Sequence, residues 1–175
     1  MITVSVFDCN DISKNAYDEM IAALQIHQLQ CPSCKRHGCM IYHGYYKRSV
    51  FTGVDLFFLH ICRLKCNSCG KTHAVLPMWL VPYSKRPLAL LCSIAQQGGS
   101  GDAVTQIQLS GIMLDERTIR HLFHKYKTSW EQRLLSIPLS LEADLQTLVS
   151  SCFLHYGRQF MQIKRTPNQL FSVPT

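Results

Sequence analysis

Hydrophobic and polar positions alternate at the start of the chain. Ile2, Val4 and Val6 are interleaved with smaller or polar residues, a period of two that predicts a short half-buried strand over Met1 to Asp8. The period then changes: Tyr17, Met20, Ile21 and Leu24 stand at i, i+3, i+4 and i+7 and predict an amphipathic helix to about Gln28, so residues 1–30 read as a βα lead-in. From Cys31 to about Pro82, β-prone runs at Met40 to Tyr46, Ser49 to Phe51 and Leu56 to Leu64 are divided by Gly44 and Gly53, which read as turns. Val81-Pro82-Tyr83 marks the exit from this β-unit, which spans residues 31–83. Beyond Ser84 the pattern is helical, with helices expected over Leu88 to Gln97, Asp102 to Leu109 and Asp115 to Leu135, the last two capped by Asp102 and Asp115. Residues 84–135 thus form a helical unit, and residues 136–175 a C-terminal helix opening at Ser140 followed by a polar tail. The expected class is α+β: a small β-unit, a helical unit and a C-terminal helix.

Composition excludes a membrane protein and leaves room for a core. The 175 residues are 47% hydrophobic, and the longest apolar approach, Ala74 to Tyr83, is broken by Pro77 and Pro82, whereas a spanning helix needs about 20 apolar residues. Asp8 and Asp11 near the start, with no basic region leading an apolar stretch, do not read as a secretory signal, so a cytoplasmic location is expected. Charge is concentrated: Cys31 to Arg86 holds nine bases against the single acid Asp55. Such a segment favours a polyanionic partner, because each neutralised phosphate releases condensed counterions.

The nine cysteines are an odd number and argue against a disulfide framework. Two pairs, Cys31-Pro-Ser-Cys34 and Cys66-Asn-Ser-Cys69, stand 31 residues apart. Two residues between cysteines let a tight turn aim both sulfurs at one ion, and two such turns complete a tetrahedral four-sulfur site. Zn2+ is the natural occupant, and iron satisfies the same ligands. Zinc binding can supply on the order of 10 kcal/mol of folding free energy to a small sheet with too few large aliphatics to fold securely alone. A redox CxxC would instead put one pair at a helix start in a βαβ unit. His37, Cys39, His43, His60, Cys62 and His73 crowd the same segment and allow a second site; the simpler reading makes Cys39 and Cys62 small core residues and the histidines part of a basic surface.

In the helical unit Ile119, Leu122, Phe123, Tyr126 and Trp130 share one inward face. The opposite face presents Arg117, Arg120, His121, His124 and Lys125. Two helices joined by a short turn containing Ser110-Gly111, the second one basic, is the helix-turn-helix layout that reads a major groove.

Taken together, Cys31-Pro-Ser-Cys34, the run Tyr42-His43-Gly44-Tyr45-Tyr46-Lys47-Arg48, the run from Ile61 through Cys66-Asn67-Ser68-Cys69-Gly70-Lys71 to Pro77, and Val81-Pro82-Tyr83 resemble an uncharacterised bacterial zinc-ribbon family associated with mobile elements. More distantly the chain is similar to the zinc-binding and helix-turn-helix regions at the N-termini of insertion-sequence transposases. The resemblance covers about Cys31 to Tyr126. It implies zinc at Cys31, Cys34, Cys66 and Cys69 and a DNA-binding role. A full transposase would continue into an RNase H-like domain with spaced acids for two metal ions; after Trp130 the acids are only Glu131, Glu142 and Asp144.

The expected protein is therefore not an enzyme but a zinc-dependent binder of double-stranded DNA, an accessory or regulatory factor of a mobile element. Lys47, Arg48, Arg63, Lys65, Lys71, Lys85 and Arg86 would hold phosphates, Arg117, Arg120, His121 and His124 would bias sequence choice, and Lys125 completes the expected nucleic-acid contacts. A transposase or recombinase and a second copy of the chain are the protein partners this reading allows. The rival is a zinc-ribbon module that docks an acidic protein.

Overall fold

A computed structural model describes residues 1–4 and 12–130. The C-terminal helix expected from Ser140 and the end of the third helix of the helical unit lie outside the described residues. The fold is mixed α+β, as the sequence pattern implies. Its sheet has four strands in the order β1-β4-β3-β2, where β1 is Ile2–Val4, β2 Met40–Phe51, β3 Leu56–Cys66 and β4 Thr72–Pro77. β2 and β3 form a long antiparallel hairpin, β4 returns antiparallel to β3, and β1 lies parallel to β4 with Ile2 opposite Val75. The N-terminal lead-in is thus part of the same sheet as the cysteine-rich segment.

Gly44 is not a turn. Met40 to Phe51 runs as one strand, and the ladder shifts by a residue between Tyr42 and Gly44. Gly44 takes φ 146°, so the extra residue is absorbed as a bulge. The bulge returns Tyr42 and Tyr45 to the same face, opposite Leu64 and Cys62. β4 carries no alternation strong enough to have been expected as a strand, since Val75, Leu76 and Pro77 are all buried.

Helix α1 (Lys14–Ala22) is capped by Ser13, whose Oγ accepts from the Ala16 N–H at 3.1 Å. It ends six residues short of the expected Gln28, and Ile26–Gln28 forms a 3-10 turn instead. The tighter turn puts Ile26 and Leu29 on one side, where with Met20, Ile21 and Leu24 they pack on Cys62, Leu64 and Val75. From α1 the buried Tyr17 reaches between β3 and β4 beyond the last paired residues, Arg63 and Ala74. Its hydroxyl accepts from the Cys62 N–H at 2.8 Å and donates to the Val75 carbonyl at 3.1 Å, replacing a ladder rung where the strands splay. Burial pushes this phenol well above its ordinary pKa, so it stays a donor.

The helical unit comprises α2 (Leu88–Ala95), α3 (Ser100–Leu109) and α4 (Glu116–Lys125), the last running into a π turn at Tyr126–Trp130. Asp102 does not cap α3: the helix starts earlier, from the extended Gly99, and Asp102 sits in its first turn. Asp115 does cap α4, accepting from the Thr118 N–H at 2.8 Å. Ile119, Leu122, Phe123 and Tyr126 face inward as expected, against Leu91, Ile94, Ala103 and Ile107. The β-hairpin is fastened to this unit at its tip. Gly53 O accepts from the Met113 N–H at 2.6 Å in the α3–α4 connection, and Phe51 N–H donates to Lys85 O at 2.7 Å. A Cβ on Gly53 would stand 2.9 Å from Ile112 Cγ2, so only glycine permits the approach.

Replacing Tyr17 by Phe leaves the Cys62 N–H and the Val75 carbonyl buried without their partner. Urea unfolding of the metal-loaded chain is expected to show a loss of about 1–3 kcal/mol; unchanged stability would mean that the hydroxyl bridge is dispensable.

Candidate metal centre

The two CxxC turns lie at the same end of the sheet. Cys31 and Cys34 precede β2, and Cys66 and Cys69 join β3 to β4. Each turn is closed by the same pair of backbone hydrogen bonds. Cys31 N–H donates to Arg36 O and Lys35 N–H to Cys31 O, both at 2.9 Å, while Cys66 N–H donates to Lys71 O at 2.9 Å and Gly70 N–H to Cys66 O at 2.8 Å. The fourth residue after the leading cysteine is left-handed in both, φ 63° at Lys35 and 71° at Gly70. A further bond from Asn67 N–H to Cys39 O at 2.8 Å ties one turn to the strand leaving the other.

The four sulfurs converge, all within 4.8 Å of one another. Cys31 Sγ to Cys69 Sγ is 3.7 Å and Cys34 Sγ to Cys66 Sγ is 3.6 Å. A tetrahedron with metal–sulfur bonds of about 2.3 Å has edges of about 3.8 Å, so the cradle has the dimensions of a four-thiolate metal site. Cys31 and Cys66 are buried and Cys34 and Cys69 half-buried, so a bound ion would be shielded from water on one side. Among the described residues this is the one group of three or more His, Cys, Asp or Glu placed to hold a metal.

The electrostatics favour thiolates at the leading positions. Burial pushes the Cys66 thiol up, but the Cys69 backbone N–H and the sulfhydryls of Cys39, Cys69 and Cys34 outweigh it and bring Cys66 to about 6. At Cys31 burial is likewise opposed by the Cys34 and Ser33 N–H groups and the Cys34 thiol, which bring it to about 7.

Two neighbours depart from the sequence reading. Cys39, expected as a small core residue, is half-buried with Sγ 3.3 Å from Cys66 Sγ and bonded to Arg36 O at 3.2 Å. His73, expected on a basic surface, is buried, with Nε2 3.5 Å from Cys31 Sγ, where an N–H there supports the thiolate. Its place in β4 opposite Leu64 carries it inward, and the unrecognised strand hid that signal. Cys62 is buried as expected, and Cys92 is buried as well, whereas His37, His43 and His60 are exposed. The six residues of the possible second site do not assemble into one among the described residues.

The basic residues divide by environment. Lys71 and Lys85 are exposed and Lys65 half-buried, while Lys47 is exposed with Nζ 4.1 Å from the Phe58 ring centroid. Arg48 departs from the expectation of a phosphate contact: it is half-buried, and its guanidinium donates to the carbonyls of Val81 and Ser84. It reaches them because alternation along β2 turns it toward the segment leading into α2. Arg63 donates to Thr72 Oγ1 at 3.1 Å, and Arg86 is half-buried. On α4, Arg117, His121, His124 and Lys125 are exposed, and so is Arg120, which pairs with Glu116 at 2.7 Å and reaches Ser100 Oγ at 3.1 Å.

Sheet, paired cysteine turns and three helices define an α+β fold in which a β-unit with a four-cysteine cluster placed to hold a metal ion is joined to a small helical bundle. The chain belongs to the family described as a domain of unknown function, DUF6431, whose model matches residues 31–122, from the first cysteine ligand into α4. No curated protein and no solved structure matches the chain. Among the described residues, no helix is long and apolar enough to cross a membrane.

Elemental analysis of purified protein is expected to find one metal ion per chain. Cys69→Ser should lose it, and Cys39→Ser should keep it, because Cys39 lies beside the four-sulfur set; loss of metal from both would make Cys39 a ligand. Lys35→Gly removes a side chain from a left-handed position that Gly70 fills in the other turn. It is expected to raise stability by about 0.5–1 kcal/mol in urea unfolding, and a decrease would mean that the Lys35 side chain contributes more than its backbone costs.

Proposed function

We propose that this protein is a zinc-dependent DNA-binding protein, acting by binding and not by catalysis, as an accessory or regulatory factor of a mobile genetic element. The observation that carries the reading is the joint placement of two features. A four-sulfur site of zinc dimensions closes one end of a basic hairpin, and the other end is bonded through Gly53 to the connection leading into α4, whose outer face is cationic. Zn2+ suits four thiolates because it imposes no redox chemistry and accepts tetrahedral geometry. Bound there, it would supply structural rigidity, with Cys31, Cys34, Cys66 and Cys69 as ligands and His73 and Cys39 beside them.

Helix α4 has the form of a groove reader. Its N-terminus is capped by Asp115, its inner face is buried, and Arg117, His121 and His124 stand outward. Lys47, Lys71 and Lys85 are the exposed bases of the ribbon and its exit, suited to phosphate. Arg48 is engaged within the fold and is left out of the contact set. The link to mobile elements rests on the resemblance of the ribbon motifs alone.

Fluorescence anisotropy of labelled duplexes across salt concentrations tests the reading. Affinity is expected to fall steeply with salt, and Lys71→Gln should flatten the slope of log affinity against log salt by about 0.9. Arg117→Ala should weaken preferred duplexes more than random ones. Absence of binding to any duplex at low salt would refute it. Charge reversal at Lys47 and Arg117 that left duplex affinity intact but lost a protein from a pull-down would favour the acidic-partner reading instead.

A further inference from the structure

The outer face of the hairpin is only partly covered. Helix α1 packs on the half nearest the cysteines, where Met20, Ile21 and Leu24 meet Cys62, Leu64 and Val75. Among the described residues the same face continues uncovered along β2 and toward the tip. Strand alternation and the Gly44 bulge place Tyr42, Tyr45 and Lys47 of β2 on it with His60 and Phe58 of β3. Tyr42, Tyr45 and Phe58 are 50%, 59% and 44% exposed. A contiguous row of exposed rings on a folded chain marks a contact surface.

We propose that this face is a stacking platform for a single strand of nucleic acid, a second mode of contact that extends the DNA-binding reading above and rests on its premise of a nucleic-acid partner. Flat rings on a pleated sheet offer base-sized apolar planes, and unstacked bases meet them in a single strand, whereas a duplex hides its base faces. Charge selects the same occupant. Lys47 Nζ lies over the Phe58 ring at 4.1 Å, so a cation sits within the row and can swing to the phosphate chain when a base takes its place on that ring. Residues 31–86, which contain the whole platform, carry nine bases and one acid.

Where the row meets α1 there is a cleft of about 350 Å³ lined by Tyr42, Tyr45 and His60 on the sheet and by Asp18, Ile21 and Ala22 on the helix. Its apolar walls and single carboxylate suit a nucleobase, with Asp18 accepting from a base N–H such as the thymine imide. Lys14 pairs with Asp18 at 2.6 Å and offsets its charge toward a nearby phosphate. From Tyr42 to Ser49, the partner of Phe58, is about 20 Å of strand, room for about four nucleotides.

The test uses the full metal-loaded chain with a fluorescein-labelled oligothymidylate of about 12 nucleotides and, separately, a duplex of the same length. The oligothymidylate is expected to bind and to quench tyrosine fluorescence. Joint Tyr45→Ala and Phe58→Ala substitution should weaken it by about tenfold or more while leaving duplex affinity within about twofold. Tyr45→Leu with Phe58→Leu keeps apolar area on the sheet but removes the rings, and should show the same loss if stacking is the cause. Arg117→Ala should do the reverse, weakening duplex and sparing oligothymidylate.

Wild-type affinity for oligothymidylate in the two ring-deleted variants, or no binding by the wild type at low salt, overturns the platform and leaves duplex reading by α4 standing. Binding of oligothymidylate without any duplex binding refutes the duplex reading and keeps the platform. Light scattering distinguishes the remaining occupant: if the ring deletions abolish self-association of the chain and leave oligothymidylate affinity intact, the face joins two copies and the proposal fails.

Discussion

The structure depends on two short turns, far apart in sequence, delivering four sulfurs to one point. Each turn is held by its own pair of backbone hydrogen bonds, so the sulfurs are aimed by local geometry before any ion is considered. The sheet then sets the distance between the turns. One follows α1 and its 3-10 extension, and the other is the β3–β4 corner, and both are buried against apolar side chains from α1 and β1. Four thiols at van der Waals separation gain little from one another as neutral groups and repel strongly as thiolates. A divalent cation at that point would convert the liability into a cross-link between the two turns.

The two halves of the molecule use different means of cohesion. Around α2, α3 and α4 one apolar cluster from Val81 to Tyr126 supplies the cohesion, in the ordinary manner of small helical bundles. The sheet instead divides its apolar residues between two smaller clusters, one under the cysteines and one around Leu59, Ile61, Trp79 and Leu80. Tyr17 bridges both, apolar ring against one cluster and hydroxyl between two strands. The four-cysteine cluster thus stands in the half of the molecule whose apolar core is divided.

Much of this was legible in the chain itself. The CxxC spacing located all four sulfurs, since two intervening residues leave a turn few ways to fold, and the i, i+3, i+4 pattern of α4 located its buried face and its cap. What the pattern concealed had physical causes. Gly44 carries the same signal whether the backbone reverses or merely bulges, and only the cross-strand partners Leu64 and Cys62 decide between them. β4 is buried along most of its length and so lacks the alternation that marks a half-exposed strand, which in turn hid the inward position of His73. Arg48 reads as one more surface base until the carbonyls of Val81 and Ser84, more than thirty residues away in sequence, come within its reach. Local spacing reports local geometry well; contacts made across the sheet are invisible to it.

The hairpin tip bears on how the halves communicate. β3 begins two residues after Gly53-Val54 and ends at Cys66, so one uninterrupted strand of 11 residues has a cysteine of the four-sulfur cluster at its far end and the helical connection at its near end. At about 3.3 Å per residue this is a rod of roughly 35 Å. Because β2 pairs with it from Leu56 to Cys66, the length of this strand sets the separation between the cysteine cluster and the connection that leads into α4.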